Sequence, residues 1–254
     1  FVKKDKTHQG YMWVVVDPRT RNTYFEYREG RNRAGPRLML KDFQGKVQSD
    51  GYVVYDVIDA ELSDIDHYNC WTHARRKFIE ALTDNKAVCE HALTLIQKLY
   101  EVEAGCRNDN CSLDERYERR QTYSLPILES LKEWMDQQAL VITPGCPTGK
   151  AIAYCNRRWT NLIKYANTGN VEIDNNLVEN AIRPLALGRK NYLFAGGHDA
   201  AVNIGYYYTV FSTCKAQDVN PYDYALWYLR KINNTKITEI DTLTPSAYKK
   251  LVVN

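Results

Sequence analysis

Asp50 and Glu179 are the two carboxylates whose settings suit chemistry. Asp50 closes the stretch "KVQSD" and Gly51 follows it, so it stands at the end of an expected strand. Carboxylates at strand ends can converge on a divalent metal. On local sequence alone an Asp-Gly turn is the simpler reading. Glu179 follows Asn176 by three residues in "NNLVEN", the spacing of a helix cap. It can bond back to the Asn176 amide, or project from the first turn toward a metal. Arg183 comes one helical turn later on the same face, then Arg189 and Lys190. Arg75, Arg76 and Lys77 form a second basic run, and Arg pairs recur at 119–120 and 157–158. Each could be a solvated helix face. A basic run beside a candidate carboxylate could instead grip phosphate, because a phosphodiester brought to carboxylate-held metals needs both kinds of group.

Cys70 and His73 have C-x-x-H spacing, half of a zinc site. No second close pair has comparable spacing, since four residues separate Cys106 from Cys111. A buried Cys and a hydrogen-bonded His at a strand–helix junction is therefore the preferred reading, and zinc is disfavoured. His73 and Arg76 also have the H-x-x-R spacing of tyrosine recombinases. With 19 Tyr in the chain, the nucleophile those enzymes need excludes nothing. No dinucleotide fingerprint, Walker loop or G-x-S-x-G elbow is present.

The elements that must position these residues are legible in outline. "YMWVVVD" (11–17) and "NTYFEYR" (22–28) are β-branched and aromatic around "PRTR", and predict an antiparallel hairpin. "LMLKDF" (38–43) predicts a short helix. "KVQSDGYVVYD" (46–56) predicts a strand ending at Asp50, and "DHYNCWTH" (66–73) another that runs into a helix near "ARRKFIEAL". From 74 to 166 apolar residues recur at i, i+3, i+4 and i+7, so this span is expected to be helical, with residues 81 to about 160 outside the sheet. "TPGCPTG" (143–149) predicts a loop. Further helices are expected from Asn176, over "AAVNIGYYYTVFSTCKAQD", and over "PYDYALWYLRKI" with Pro221 in its first turn. Strands first and helices after make an α+β order, a small mixed sheet with a long helical insertion.

Composition bounds the rest. The 254 residues suffice for one large domain or two modest ones, and 44% hydrophobic with 26% charged residues is an ordinary globular balance. No apolar run reaches the roughly 18 to 20 residues of a membrane span. "FVKKDKTHQG" has no signal-peptide core, and the chain starts with Phe, which suggests a fragment or a processed start. Seven scattered Cys are expected to be reduced thiols. The net charge of +3 is too mild to declare a nucleic-acid partner, so local patches must decide.

Three segments together are more specific than any of their parts. "VQSDGYVVY", "CWTHARRKFIEAL" and "EIDNNLVENAIRPLALGRKNYLFAGG", in that order, closely resemble the insertion-sequence-66 family of bacterial transposases. The likeness extends to "NPYDYALWYLRKI". It implies a ribonuclease-H-like core (α+β or α/β) with an Asp-Asp-Glu metal site that cuts and joins DNA. By motif the second Asp falls on Asp50 and the Glu on Glu179, and the two should hold one Mg²⁺ or Mn²⁺ site with carboxylates within about 10 Å, since paired metals sit about 3.5 to 4 Å apart. Cys70 and His73 match a C-x-x-H signature between the acids, and Arg183, Arg189 and Lys190 match the basic part of the third motif. The DNA-binding set would be these three cations with Arg75, Arg76 and Lys77.

The implied layout is a first part of the core over 1–80, a helical insertion over 81–160, a second part of the core over 161–216, and a C-terminal helical element over 217–254. Expected partners are double-stranded DNA (transposon ends and target), further copies of the chain on that DNA, and accessory proteins, with no membrane. The expected location is the bacterial cytoplasm, with the nucleoid. In the family the first catalytic Asp lies in an Asp-Glu-Thr-Pro segment just before the "GYMW" strand, and this chain starts after that point. Asp17, at the far end of the next strand, does not replace it. The chain alone is thus expected to bind DNA yet cleave it poorly, roughly a thousandfold or more below a complete site. The alternative is a catalytically incomplete DNA-binding remnant.

Overall fold

The computed structural model describes residues 2–3 and 6–253; Phe1, Lys4, Asp5 and Asn254 lie outside the described residues. The chain divides into two compact units, Phe1–Gly35 with Asn176–Asn254, and Pro36–Asn175. Among the described residues the strands form three two-stranded sheets.

In the first unit, β1 (Val2–Lys3) and β2 (Lys6–Thr7) make a minimal antiparallel pair. β3 (Tyr11–Val16) and β4 (Thr23–Arg28) form the expected hairpin, in register from Tyr11↔Arg28 to Val16↔Thr23. In the second unit, α1 (Ala34–Leu40) spans the boundary and leads into β5 (Gly45–Ser49). A crossover through α2 (Asp56–Glu61) brings β6 (Ile65–Asn69) back parallel to β5, with Ser49 opposite Asn69. α3 (Trp71–Glu80) begins two residues after β6, earlier than the sequence pattern suggests. Trp71 is wholly buried, so the "CWTH" stretch satisfies core packing as the first turn of a helix.

The remaining helices of this unit are α4 (Lys86–Asn108), α5 (Leu113–Arg119), α6 (Leu125–Val141) and α7 (Pro147–Ile163), with a π-turn over Arg120–Ser124. Residues 81–160 hold no strand among the described residues, as their 3.6-residue period predicts. α4 buries Cys89, Ala92, Ile96, Leu99, Glu103 and Cys106, one continuous stripe. Asn85 caps it by accepting from the Val88 N–H at 3.3 Å. α7 starts inside the expected loop: Pro147 needs no donor at the first helical position, and the Cys146 thiol accepts from Gly149 N–H. The core joins Trp71, Phe78, Ile96, Leu131, Ile152 and Leu162, and the Trp71 indole donates to the Leu162 carbonyl at 2.9 Å.

The first unit resumes with α8 (Asn176–Tyr192), α9 (His198–Ala216), α10 (Pro221–Lys231) and α11 (Pro245–Tyr248). α9 covers the outer edge of β4. Thr213 Oγ1 accepts from Thr23 N–H (3.0 Å) and donates to Thr23 O (3.2 Å), and Thr209 Oγ1 accepts from Phe25 N–H (2.9 Å). Two threonines one turn apart thus satisfy strand groups that an open edge would leave bare. No helix among the described residues is long and apolar enough to cross a membrane.

Candidate nucleic-acid site

Asp50 stands one residue beyond β5, half-buried, at the C-terminal end of a parallel strand pair. Its Oδ1 accepts from Tyr52 N–H at 2.9 Å, an Asx turn of the kind its sequence suggests. Oδ2 accepts no hydrogen bond from the described residues. Gly51 makes the turn at φ +73°, and a Cβ there would meet the Tyr154 hydroxyl at 2.4 Å. α7 lies against the turn. The Tyr154 hydroxyl reaches the Asp50 carbonyl at 3.4 Å, and Arg158, over the Tyr154 ring, donates to Asp56 Oδ1 at 3.0 Å.

Beneath the turn lies a polar chain that the sequence reading missed. Ser49 Oγ sits 2.8 Å from His67 Nε2, and His67 Nδ1 sits 2.9 Å from Asp59 Oδ2. Asn161 donates to Asp59 at 2.9 Å, Asn69 donates to Ser49 at 3.3 Å, and Gly51 N–H reaches Ser49 Oγ at 3.4 Å. Ser49, His67 and Asn69 are all buried. Burial pushes the His67 pKa below its usual value, although Asp59 pulls the other way. A neutral imidazole can donate to Asp59 and accept from Ser49, while Asn69 Oδ1 is buried without a hydrogen bond among the described residues. The available signal was the presence of Ser, His and Asn on paired parallel strands, where apolar residues are the rule.

Glu179 occupies the first turn of α8 and is half-buried. Arg183 and Lys190 follow at i+4 and i+11, close to one stripe of the helix, and Arg183, Arg189 and Lys190 are all exposed. Pro184, inside the helix, leaves the Asn180 carbonyl without its helical donor. The Tyr208 hydroxyl donates to the Pro184 carbonyl at 3.3 Å, and Gly188 lets Tyr208 approach, since a Cβ would lie 2.1 Å from its oxygen. Asp50 and Glu179 belong to different compact units.

The other predicted residues separate. Arg75, Arg76 and Lys77 point in different directions round α3. Lys77 pairs with Glu80 at 3.0 Å, and Arg75 lines a shallow groove with Glu90, Lys98 and Glu101. Cys70 is wholly buried at the start of α3, where its thiol accepts from Asn175 N–H at 3.4 Å. Burial raises the Cys70 pKa to about 11. The structure corrects the reading of two Arg pairs as solvated faces. Arg120 is wholly buried against Glu103, with contacts of 2.7 Å, and Arg158 is buried against Asp56. Both point inward because acids on α4 and α2 pair with them.

Comparisons with known proteins agree with the motifs. The model of the transposase IS66 family matches residues 2–203, which include Asp50 and Glu179. Among curated proteins the chain is similar to three uncharacterised proteins of Sinorhizobium fredii. It is 28% identical to y4jD, covering 88% of this chain and 45% of that protein. It is 28% identical to y4hP, covering 97% and 49%, and 29% identical to y4qI, covering 89% and 43%. The chain thus spans less than half the length of these relatives. No solved structure matches it. With most of its length matched in one stretch, the chain belongs to the IS66 family of transposases.

Proposed function

We propose that the chain is the catalytic part of a DNA transposase with a ribonuclease-H-like core, whose metal site uses Asp50 and Glu179. The observation that carries this is the family match over residues 2–203, which contains both acids and the cations of α8. Hard carboxylate oxygens suit Mg²⁺ or Mn²⁺, and Asp50 Oδ2, with no hydrogen bond from the described residues, is chemically fit to be a ligand. Such ions, when bound, stabilise the attacking and leaving oxygens of an in-line phosphoryl transfer.

The chain's own residues do the rest. The Asx turn fixes one oxygen of Asp50, which leaves the other for a ligand. Arg183 and Lys190, on the stripe of Glu179, neutralise phosphates of the strand being cut, and Arg189 adds a contact to its flank. Double-stranded DNA is the partner.

Retention of duplex DNA by the purified protein, with and without Mn²⁺, tests this. The protein should bind DNA, and Mn²⁺ held by the carboxylates should tighten that binding. Asp50→Asn and Glu179→Gln should each lose that increment and keep the metal-free affinity. Absence of DNA binding, or an Mn²⁺ increment unchanged in both variants, would falsify the proposal.

A further inference from the structure

A second basic site lies wholly within the first unit, away from the motif residues. A surface groove of about 680 Å³ opens where the β3–β4 turn, the end of α9 and the segment after α11 meet. Arg21, Lys215, Lys249 and Lys250 line it, and Asp218 is the single acid of the lining. Arg21, Lys215 and Lys250 are exposed and make no ion pair among the described residues. Like charges gathered in this way repel one another, and the arrangement is relieved by a bound polyanion.

The groove has a built floor. Gln217 Nε2 donates to Thr20 O at 2.9 Å and to Asn22 Oδ1 at 2.8 Å. Gln217 Oε1 accepts from Ser246 Oγ at 3.0 Å, and its backbone carbonyl accepts from Lys249 Nζ at 2.6 Å. One side chain therefore ties three separate chain segments together, and the cations spring from backbone that is already fixed. Fixing it beforehand lowers the ordering penalty when a ligand arrives.

We infer that this groove binds the phosphodiester backbone of double-stranded DNA, as a contact separate from the Arg183, Arg189 and Lys190 set. The inference rests on the proposed transposase function for its choice of polyanion. Two properties favour a duplex backbone. The cations come from three segments along an open groove, which suits a ligand with charge repeated every ~1.7 Å of duplex axis rather than a single anion. The lining has no aromatic residue on which bases could stack. Lys215, Lys249 and Lys250 also lie beyond residue 203, outside the family match, so the groove would add contacts that the shared motifs do not supply.

The test is the salt dependence of duplex binding by the purified protein, compared with the combined variant Arg21→Ala, Lys215→Ala, Lys250→Ala. Lys249 stays because it ties the floor together. Each lost phosphate contact should lower the slope of log K against log salt by about 0.9, so the variant's slope should fall by about two to three and its affinity at moderate salt by about tenfold or more. Unchanged far-ultraviolet circular dichroism and melting confirm that the variant folds, and single Lys215→Gln and Lys250→Gln variants should each show about one step of the slope. A wild-type protein that binds DNA, with a variant of equal slope and affinity, overturns the inference alone. A wild-type protein that binds no DNA overturns the transposase reading with it. Loss in the variant of binding to phosphatidylserine-rich vesicles, with DNA binding intact, overturns the choice of DNA.

Discussion

Gly51 carries a demand that its neighbours cannot relax. At φ +73° an L-residue is strained by about 1 to 3 kcal/mol, and any Cβ would collide with the Tyr154 hydroxyl. Gly51→Ala should therefore lose at least that much stability in urea unfolding, and should displace the Asp50 turn; an unchanged midpoint would show that the turn is softer than its geometry. Linked to Gly51 through Ser49 in the same network, His67 makes stability pH-dependent. Its pKa is lowered in the folded chain, so the unfolded chain binds the proton more readily. The contribution of His67 is full above its unfolded value of about 6.5 and is lost as pH falls from there toward the folded value. Unfolding measured at pH 7.5 and 5.5 should show a loss in the wild type that is smaller in His67→Gln. Equal losses in both would mean that the imidazole is not held neutral. At this scale the sequence disclosed Asp50 and Glu179 through their motifs. It concealed Ser49, Asp59, His67 and Asn161, because their partnership joins positions up to 112 residues apart and no spacing rule encodes it.

The elements were the most legible level. The hairpin, the helices of 86–163 and the helix opening at Asn176 follow from residue period and caps. The errors fall at junctions. α3 starts at Trp71 and α7 at Pro147, where burial of Trp71 and the Cys146 cap extend helices into stretches that read locally as strand and loop. Which polar groups turn inward was hidden, since it depends on tertiary partners. The α4–α5 contact is the clearest case. Arg116 and Arg120 share Glu103, and Arg116 also holds Glu172, lowering its pKa. Arg120 also donates to the carbonyls of Tyr165 (2.8 Å) and Thr168. Arg120→Ala should cost about 3 to 5 kcal/mol by leaving buried Glu103 with Arg116 alone and by taking the Arg120 donor from the Tyr165 and Thr168 carbonyls. The pair Arg120→Met with Glu103→Met should recover most of that loss; a double variant no better than the single would place the cost in packing instead. On the edge of β4, Thr209→Val and Thr213→Val should each cost about 1 to 3 kcal/mol by leaving strand groups unpaired, and urea midpoints unchanged in both would show that water replaces the hydroxyls.

At the scale of the whole chain, the proposal to be tested is that one metal site uses both Asp50 and Glu179. Family membership motivates it, and a shared ion is a statement about a location in space. Iron-directed backbone cleavage reads that location. Fe²⁺ loaded in place of Mg²⁺, with ascorbate and peroxide, cuts the backbone beside the bound ion. Two groups of cuts are expected, one around Asp50 and one around Glu179, both suppressed by excess Mg²⁺ and both lost in Asp50→Asn as well as in Glu179→Gln. Cuts beside only one of the two acids, or cuts beside each that survive substitution of the other, would contradict it.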